Sequence, residues 1–320
     1  MELTGIHHLT AITSNALENL KFYTKVLGLR LVKKSVNQDD VTAYHLFYAD
    51  NVGSPGTDIT FFDWNSLPEK RGTNSIVRTA YQVRSDEALD FWAERFNSLG
   101  VTASPVVVRD ERKTLDFEDP EGQRLSLVLD LRSPQGVPRE GTKIPPEYQL
   151  QSLGPVTISV SDTGPTFDIL EKVLSFKKVR AYKVSNPDSV HKEISVHVFQ
   201  MSGSGAHSEL HVMHEPDAPP GRPGAGGVHH VAFRIPDFDQ YDAWTRRLKD
   251  LRIPSSGPID RYYFKSLYFR EPNGILFEFA TDGPGFATDE PLDALGEKLA
   301  LPPFLEGRRV EIESGLKKLF

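Results

Sequence analysis

No cysteine occurs in these 320 residues, and methionine and tryptophan occur three times each. Without thiols there is no disulfide framework, no thiolate zinc site, no iron–sulfur cluster and no cysteine nucleophile, so any metal rests on His, Asp or Glu. No apolar run approaches the roughly eighteen residues that a membrane span needs. The opening Met1-Glu2-Leu3-Thr4 carries neither the basic head nor the apolar stretch of a secretion signal. Charge of one sign is missing too: 37 basic residues are interspersed with 44 acidic ones for a net −7, which leaves no footprint for nucleic acid. The expectation is a soluble, cytoplasmic protein that acts on small molecules, with no nucleic-acid or membrane partner. At roughly 100–200 residues per domain the length suits about two domains.

What the chain does contain is a repeat. Residues 76–131 slide onto 228–283 at an offset of 152 without a gap. Ile76 falls on Val228, Tyr81 on Phe233, Trp92 on Trp244 and Arg109 on Arg261. The turn Asp119-Pro120-Glu121-Gly122 falls on Glu271-Pro272-Asn273-Gly274. Each copy opens on alternating apolar positions, the pattern of a half-buried strand. In the last copy Phe238, Tyr241, Trp244, Leu248 and Leu251 then recur at three- and four-residue spacing, one face of a helix. The Pro-Asn-Gly or Pro-Glu-Gly turn joins the final two strands as a hairpin. The unit is βαβββ, and looser copies occupy 5–64 and 155–213. The predicted fold is therefore α+β, with four βαβββ modules forming two open, cupped β-sheet barrels. Modules one and two fill 1–131 and modules three and four fill 152–281. A linker rich in Pro, Gly and charge spans 132–151, and a C-terminal tail, 282–320, lies over the body.

Four of the ten histidines come as two identical pairs. Gly5-Ile6-His7-His8-Leu9-Thr10 opens module one, and Gly227-Val228-His229-His230-Val231-Ala232 opens module four. Strict alternation along a strand sends one histidine of each pair to each face. His7 and His229 share parity with Leu9, Ala11, Val231 and Phe233 and are expected to pack under the module helices. His8 and His230 share parity with Thr10, Ala232 and Arg234 and are expected to face the cavity. The closing strand adds Leu276-Phe277-Glu278-Phe279, a lone carboxylate that is costly to bury without a cation or hydrogen bonds. Two imidazoles and one carboxylate leave metal positions open; Fe(II) is the usual occupant, and Mn(II) or Zn(II) accept the same donors. The repeat supplies controls: Arg78 stands where module four has His230, Ser126 where it has Glu278, and Val156-Thr157 where module one has His7-His8. Ligands from the first and last modules share one ion only if those modules close on each other, leaving modules two and three to a metal-free barrel.

Four such modules, with His-His-Leu-Thr near the N-terminus, His-His-Val-Ala-Phe opening the last module and Leu-Phe-Glu-Phe closing it, resemble the vicinal oxygen chelate superfamily of glyoxalases and extradiol dioxygenases. Within it the resemblance is to the hydroquinone ring-cleaving dioxygenases, over nearly the whole chain. It implies His8, His230 and Glu278 as iron ligands, with His7, Thr10, His229, Arg261 and Tyr268 as catalytic residues around them. It also implies a small phenolic substrate opened with O2. The catechol-cleaving enzymes take their first histidine from the module after the linker, where this chain has Thr157, so that branch does not match. Two other readings are a metal-dependent isomerase, lyase or transferase of glyoxalase type, and a non-catalytic resistance protein that binds an aromatic compound. The sequence offers no fourth ligand for the former, and the latter requires no retained ligand set. Tyr268 precedes Glu278 across the Asn273-Gly274 hairpin and is expected on the adjacent strand. Arg261 has Arg109 as its counterpart in the ligand-free module, which weakens a purely catalytic role. Open sheet edges allow a homo-oligomer.

Other features point elsewhere. His207, Glu209, His211 and His214 gather in 206–215, the first three spaced two apart and so on one strand face; the expectation is a polar edge strand rather than a second metal site. Ser202-Gly203-Ser204-Gly205 follows a strand but precedes no helix, so it is no phosphate loop. The segments 50–58 and 186–192 are the loops expected to line the pocket.

Overall fold

The computed structural model describes residues 1–185 and 193–319; the expected pocket loop at 186–192 lies outside the described residues. Every module runs strand, helix, strand, strand, strand. The first comprises β1 (Ile6–Thr13), α1 (Ala16–Lys21), β2 (Arg30–Val36), β3 (Tyr44–Ala49) and β4 (Asp58–Asp63). The second comprises β5 (Ser75–Val83), α2 (Asp86–Leu99), β6 (Val107–Arg109), β7 (Arg112–Glu118) and β8 (Arg124–Leu129). The third comprises β9 (Leu153–Val160), α3 (Thr163–Asp168), β10 (Lys177–Ser185), β11 (Glu193–Gln200) and β12 (Glu209–His214). The fourth comprises β13 (Val228–Ile235), α4 (Phe238–Asp250), β14 (Ile259–Asp260), β15 (Phe264–Arg270) and β16 (Leu276–Pro284).

The helices that match at the 152-residue offset start and pack for the same reasons. Ser85 Oγ accepts from the Ala88 amide ahead of α2, and the Asp237 carboxylate accepts from the Gln240 amide ahead of α4, each satisfying an otherwise orphaned N–H. Trp92 and Phe96 on α2, and Tyr241, Trp244 and Leu248 on α4, are the buried stripe. α1 and α3 are shorter and continue as single π-turns over Phe22–Val26 and Ile169–Val173, so the predicted helices end in wider turns.

Pairing brings the ends of the chain together. One eight-stranded sheet has the order β14-β15-β16-β13-β1-β4-β3-β2, and the other β10-β11-β12-β9-β5-β8-β7-β6. Modules one and four thus share a sheet through antiparallel β1 and β13, and modules two and three share the other through β5 and β9. The second sheet draws on one continuous stretch, 75–214, nested between the two halves of the first. Segment 132–151 is fastened to module one, the Val137 amide donating to Asp50 and the Arg139 guanidinium to the Gly28 and Leu29 carbonyls. The tail covers β2: the Arg30 guanidinium donates to the Leu292 and Asp293 carbonyls, and Leu301, Leu305 and Ile312 bury against Val36. Among the described residues no helix is long and apolar enough to cross a membrane.

Candidate metal centre

The β1–β13 ladder decides where the histidines point. Its register runs Ile6↔Phe233, His8↔Ala232, Leu9↔Val231, Thr10↔His230 and Ala11↔Val228, leaving His7 and His229 each as an extra residue without a partner. Each is a one-residue bulge, which breaks the alternation of side chains. His7 and His229 therefore do not pack under the helices, as parity alone predicts. His7 Nδ1 lies 2.8 Å from His8 Nδ1, and His229 Nδ1 lies 2.7 Å from His230 Nδ1. Each bulge histidine stands behind its neighbour and grips the ring nitrogen that faces away from the centre.

The other ring nitrogens meet Glu278. His8 Nε2 and His230 Nε2 lie 3.1 Å and 2.9 Å from Glu278 Oε2, and all three side chains are buried. These are ion-pair distances with poor hydrogen-bond alignment: the rings and the carboxylate attract one another, yet both Glu278 oxygens and His230 Nε2 lack a well-aligned protein partner. Buried donor atoms that approach one another within 4.8 Å yet do not satisfy one another fit a shared cation. Burial lowers the pKa of both rings and is the dominant influence at His230; at His8 the Glu278 and Asp58 carboxylates override it and raise the value. Burial also favours neutral Glu278, but His8 and His230 hold its pKa well below the usual carboxylate range.

In front of this trio opens a recess of about 470 Å³, counted out to its mouth, whose walls include Thr10, His45, Phe62, Arg261, Phe264 and Tyr268. Tyr268 sits opposite Glu278 in the β15–β16 register, where the hairpin places it, and its ring is 5.5 Å from that of His230. Burial, then the Glu278 charge, raises its phenol pKa, so it stays protonated. Arg261 lies 5.7 Å from the Tyr268 ring and forms a two-pronged pair with Asp39. Thr10 lines the recess and accepts from the Thr60 hydroxyl at 2.9 Å. His7 and His229 do not line it. His229 leans on Phe62 and Trp64, and burial pushes its pKa down to about 3.

Parity along one strand does not reveal His45. It projects from β3 into the recess, stacked on Phe47, with Nε2 2.9 Å from Thr60 Oγ1. Burial, then the nearby His8 and His230, holds its pKa well below the ordinary histidine value. The signal available was a histidine amid Tyr44-His45-Leu46-Phe47, but which face that strand presents depends on sheet closure.

A family model described as the Glyoxalase/Bleomycin resistance protein/Dioxygenase superfamily matches residues 5–127 and 152–279. The chain belongs to this superfamily. A Bacillus subtilis (strain 168) protein named "Putative ring-cleaving dioxygenase MhqA" is 46% identical over 321 residues, 100% of each chain. The Chlorohydroquinone/hydroquinone 1,2-dioxygenase of Sphingobium indicum is 30% identical over 315 residues, 96% of this chain and 94% of the other. A crystal structure titled as a "putative dioxygenase" from Bacillus subtilis superposes with a TM-score of 0.88 at 34% identity, covering 99% of this chain and 97% of that one.

Within this superfamily chain, the second sheet holds the equivalent position without the donors. Arg78 Nη1 lies 3.1 Å from Asp116 Oδ1, Ser126 donates to the same oxygen at 2.6 Å, and Arg109 pairs with Asp116 through both prongs. A guanidinium thus stands where the first sheet has His230. Nearby, Asp110, Glu209 and His211 cluster, but Arg112 and Arg180 both bind Glu209, and Arg180 also binds Asp110. With two guanidiniums already compensating these carboxylates, the cluster does not fit a cation. Two expectations for 206–215 are corrected. His207 sits in the turn Ala206–Ser208, apart from the strand face of Glu209 and His211, and β12 lies inside the sheet between β11 and β9 instead of at its edge.

Proposed function

We propose that this chain is a ring-cleaving dioxygenase that holds Fe(II) on His8, His230 and Glu278 and opens a hydroquinone-type phenol with O2. The observation that carries the reading is the buried trio of two imidazoles and one carboxylate, their donor atoms within 4.8 Å of one another beside a recess walled by Phe62, Phe264 and Tyr268. Mn(II) and Zn(II) suit the same donors, but ring opening with dioxygen calls for a metal that can change oxidation state, which disfavours Zn(II); such an ion, held by His8, His230 and Glu278, would supply the electron transfer that dioxygen chemistry needs. Among the described residues no fourth acidic or imidazole donor joins the cluster. In module one the position matching Glu278 is Thr60, which pairs with Thr10 as Glu278 pairs with Ala232. This disfavours a glyoxalase-type isomerase reading.

The chain's own groups divide the remaining work. Phe62 and Phe264 offer apolar walls for an aromatic ring. Arg261, fixed by Asp39, presents positive charge to the anionic oxygens that ring opening generates, and the protonated Tyr268 offers a hydrogen-bond donor beside them. With the Thr60 hydroxyl donating to Thr10, His45 Nε2 can donate to Thr60, the tautomer in which Nδ1 keeps a lone pair. That nitrogen is placed to accept the proton of a substrate hydroxyl. His7 and His229 fix the orientation of the ligand imidazoles from behind.

The test is anaerobic loading with Fe(II), followed by oxygen uptake on hydroquinones and catechols side by side. Uptake with hydroquinone, exceeding that with catechol, is expected; no uptake on any phenol by fully iron-loaded protein refutes the proposal.

A further inference from the structure

A second and smaller recess of about 260 Å³, counted out to its mouth, shares Tyr263 and Phe264 with the substrate recess and is lined by His7 in place of His8. Gly53, Tyr263, Phe264 and Phe286 contribute to its walls, and His7, Asp58 and Asp282 share it. A Cβ at Gly53 (φ +74°) would stand 2.7 Å from the Phe286 ring, so glycine is what lets the 50–58 loop close here. Asp58 is 2% exposed, and neither of its oxygens has a protein partner. The neighbouring carboxylates are engaged: Asp282 pairs with Arg234 through two bonds, and Asp50 accepts the amides of Val52, Ser54 and Val137. A buried carboxylate with no donor costs several kcal/mol unless something answers it.

Hydrogen positions follow from the ring contacts. For His8 Nε2 to offer its lone pair to a cation, the His8 proton must sit on Nδ1. That proton points at His7 Nδ1, 2.8 Å away, which must then be the acceptor. An imidazole whose Nδ1 accepts carries its own proton on Nε2. His7 Nε2 is buried and has no well-aligned protein partner, the Thr281 backbone being close enough for a bent contact only. The side chains of His7 and Asp58, whose Nε2 and carboxylate oxygens lack well-aligned protein partners, line the same recess, which has room for ordered water, a group able to bridge polar atoms.

We propose that Asp58 is a positioning residue for the metal centre: through water in this recess its carboxylate accepts the His7 Nε2–H, and the relay Asp58–His7–His8 locks His8 Nε2 as the lone-pair donor. The β1–β4 register sets Asp58 directly beside His8. Module four has no such partner. Continuing the β13–β16 register one residue before Val231↔Phe277 sets Leu276 beside His230, and His229 meets the aromatic rings of Phe62 and Trp64. Asp58 thus places a carboxyl acceptor beside one ligand only.

This inference rests on the metal reading above, and one experiment separates the two. The metal-free full chain is titrated with Co(II), the affinity and visible spectrum being recorded for the parent, Glu278→Gln, Asp58→Asn and Asp58→Leu, with melting curves of each metal-free protein. Asp58→Leu should weaken Co(II) binding about 10–100-fold while melting at the parent temperature or above, because it removes a buried polar group without a protein partner. Asp58→Asn keeps an acceptor oxygen and should lose less, though at least about threefold. A residue that merely supported the fold would lower affinity and melting temperature together, and that result overturns the proposal. So does Co(II) binding by Asp58→Leu within about threefold of the parent. Should Asp58→Leu not fold, Asp58→Asn decides, unchanged affinity being the overturning result. If Glu278→Gln titrates like the parent, the metal reading itself fails and the Asp58 assignment falls with it. Tight binding that depends on Glu278 but not on Asp58 overturns the Asp58 assignment alone.

Discussion

Replacing Lys33 with methionine tests how the C-terminal tail is held to the wall of the substrate recess. Lys33, on β2, is fully buried. Its ammonium lies 2.6 Å from Asp289 Oδ1, bonds Glu290, and stands 4.7 Å above the Tyr263 ring. The Tyr263 hydroxyl donates to the other Asp289 oxygen at 2.8 Å, and burial followed by Asp289 raises its pKa. Lys33→Met fills the stem's volume but leaves two carboxylates, 18% and 11% exposed, facing each other without a cation. Removing one partner of such a buried group costs about 3–5 kcal/mol. At about 2–4 °C per kcal/mol, the thermal midpoint should fall on the order of 10 °C. The triple change Lys33→Met, Asp289→Asn, Glu290→Gln removes every charge and should recover most of that loss. Thermal unfolding reads the stability, and limited proteolysis reads release of 286–319. Because Tyr263 lines the recess, KM for the phenol should rise in Lys33→Met with little change in kcat. A Lys33→Met protein within about 1 kcal/mol of the parent, or a triple variant no better than the single one, would show that the clasp is a surface pair of negligible weight.

Three further expectations concern the site and its surroundings. His8→Ala, His230→Ala and Glu278→Ala should each abolish retention of iron through gel filtration, whereas Ser126→Ala and Arg78→Ala, at the matching places in the other sheet, should leave it intact; metal analysis of the eluted protein decides. His45→Gln should lower kcat roughly 10²–10⁴-fold with a small effect on KM, as for loss of a proton acceptor, and a change under about threefold removes His45 from that role. Asp119, buried in the turn before β8, has its carboxyl pushed from its ordinary 3.8 to about 6, chiefly by burial. A folded value above the unfolded one means stability is greatest below about pH 4 and is lost as pH rises through about 6, by roughly 3 kcal/mol at most. Urea midpoints between pH 4.5 and 7.5 should therefore fall for the parent and stay flat for Asp119→Asn, relative to all other titrations; parallel profiles count against it.

Much of this was legible in the residues. The 152-residue repeat revealed the module, the doubled histidines and lone Glu278 marked the centre, and the requirement that they meet foretold which modules share a sheet. What stayed hidden depends on contacts between distant strands. The two bulges exist only in the register of β1 against β13, more than two hundred residues away, so parity within one strand sent His7 and His229 to the wrong face. His45 looks like an ordinary strand residue until β3 closes over the centre, and segment 50–58, expected to line the substrate pocket, instead supplies Gly53 and Asp58 to the smaller recess. Lys33 looks like a solvated lysine because its partners, Asp289 and Glu290, arrive from the tail. Glu209 read as part of an edge, since nothing near it in sequence announces Arg112 or Arg180.

The nested arrangement of the sheets has a consequence for the order of assembly during translation. Strands 75–214 form a closed set that is complete well before synthesis ends, whereas β1–β4, made first, must wait for β13–β16. Until Glu278 has left the ribosome, no nascent fragment carries the full donor set, whatever its length. On the metal reading proposed above, capture of the ion would therefore wait until the last module has been made.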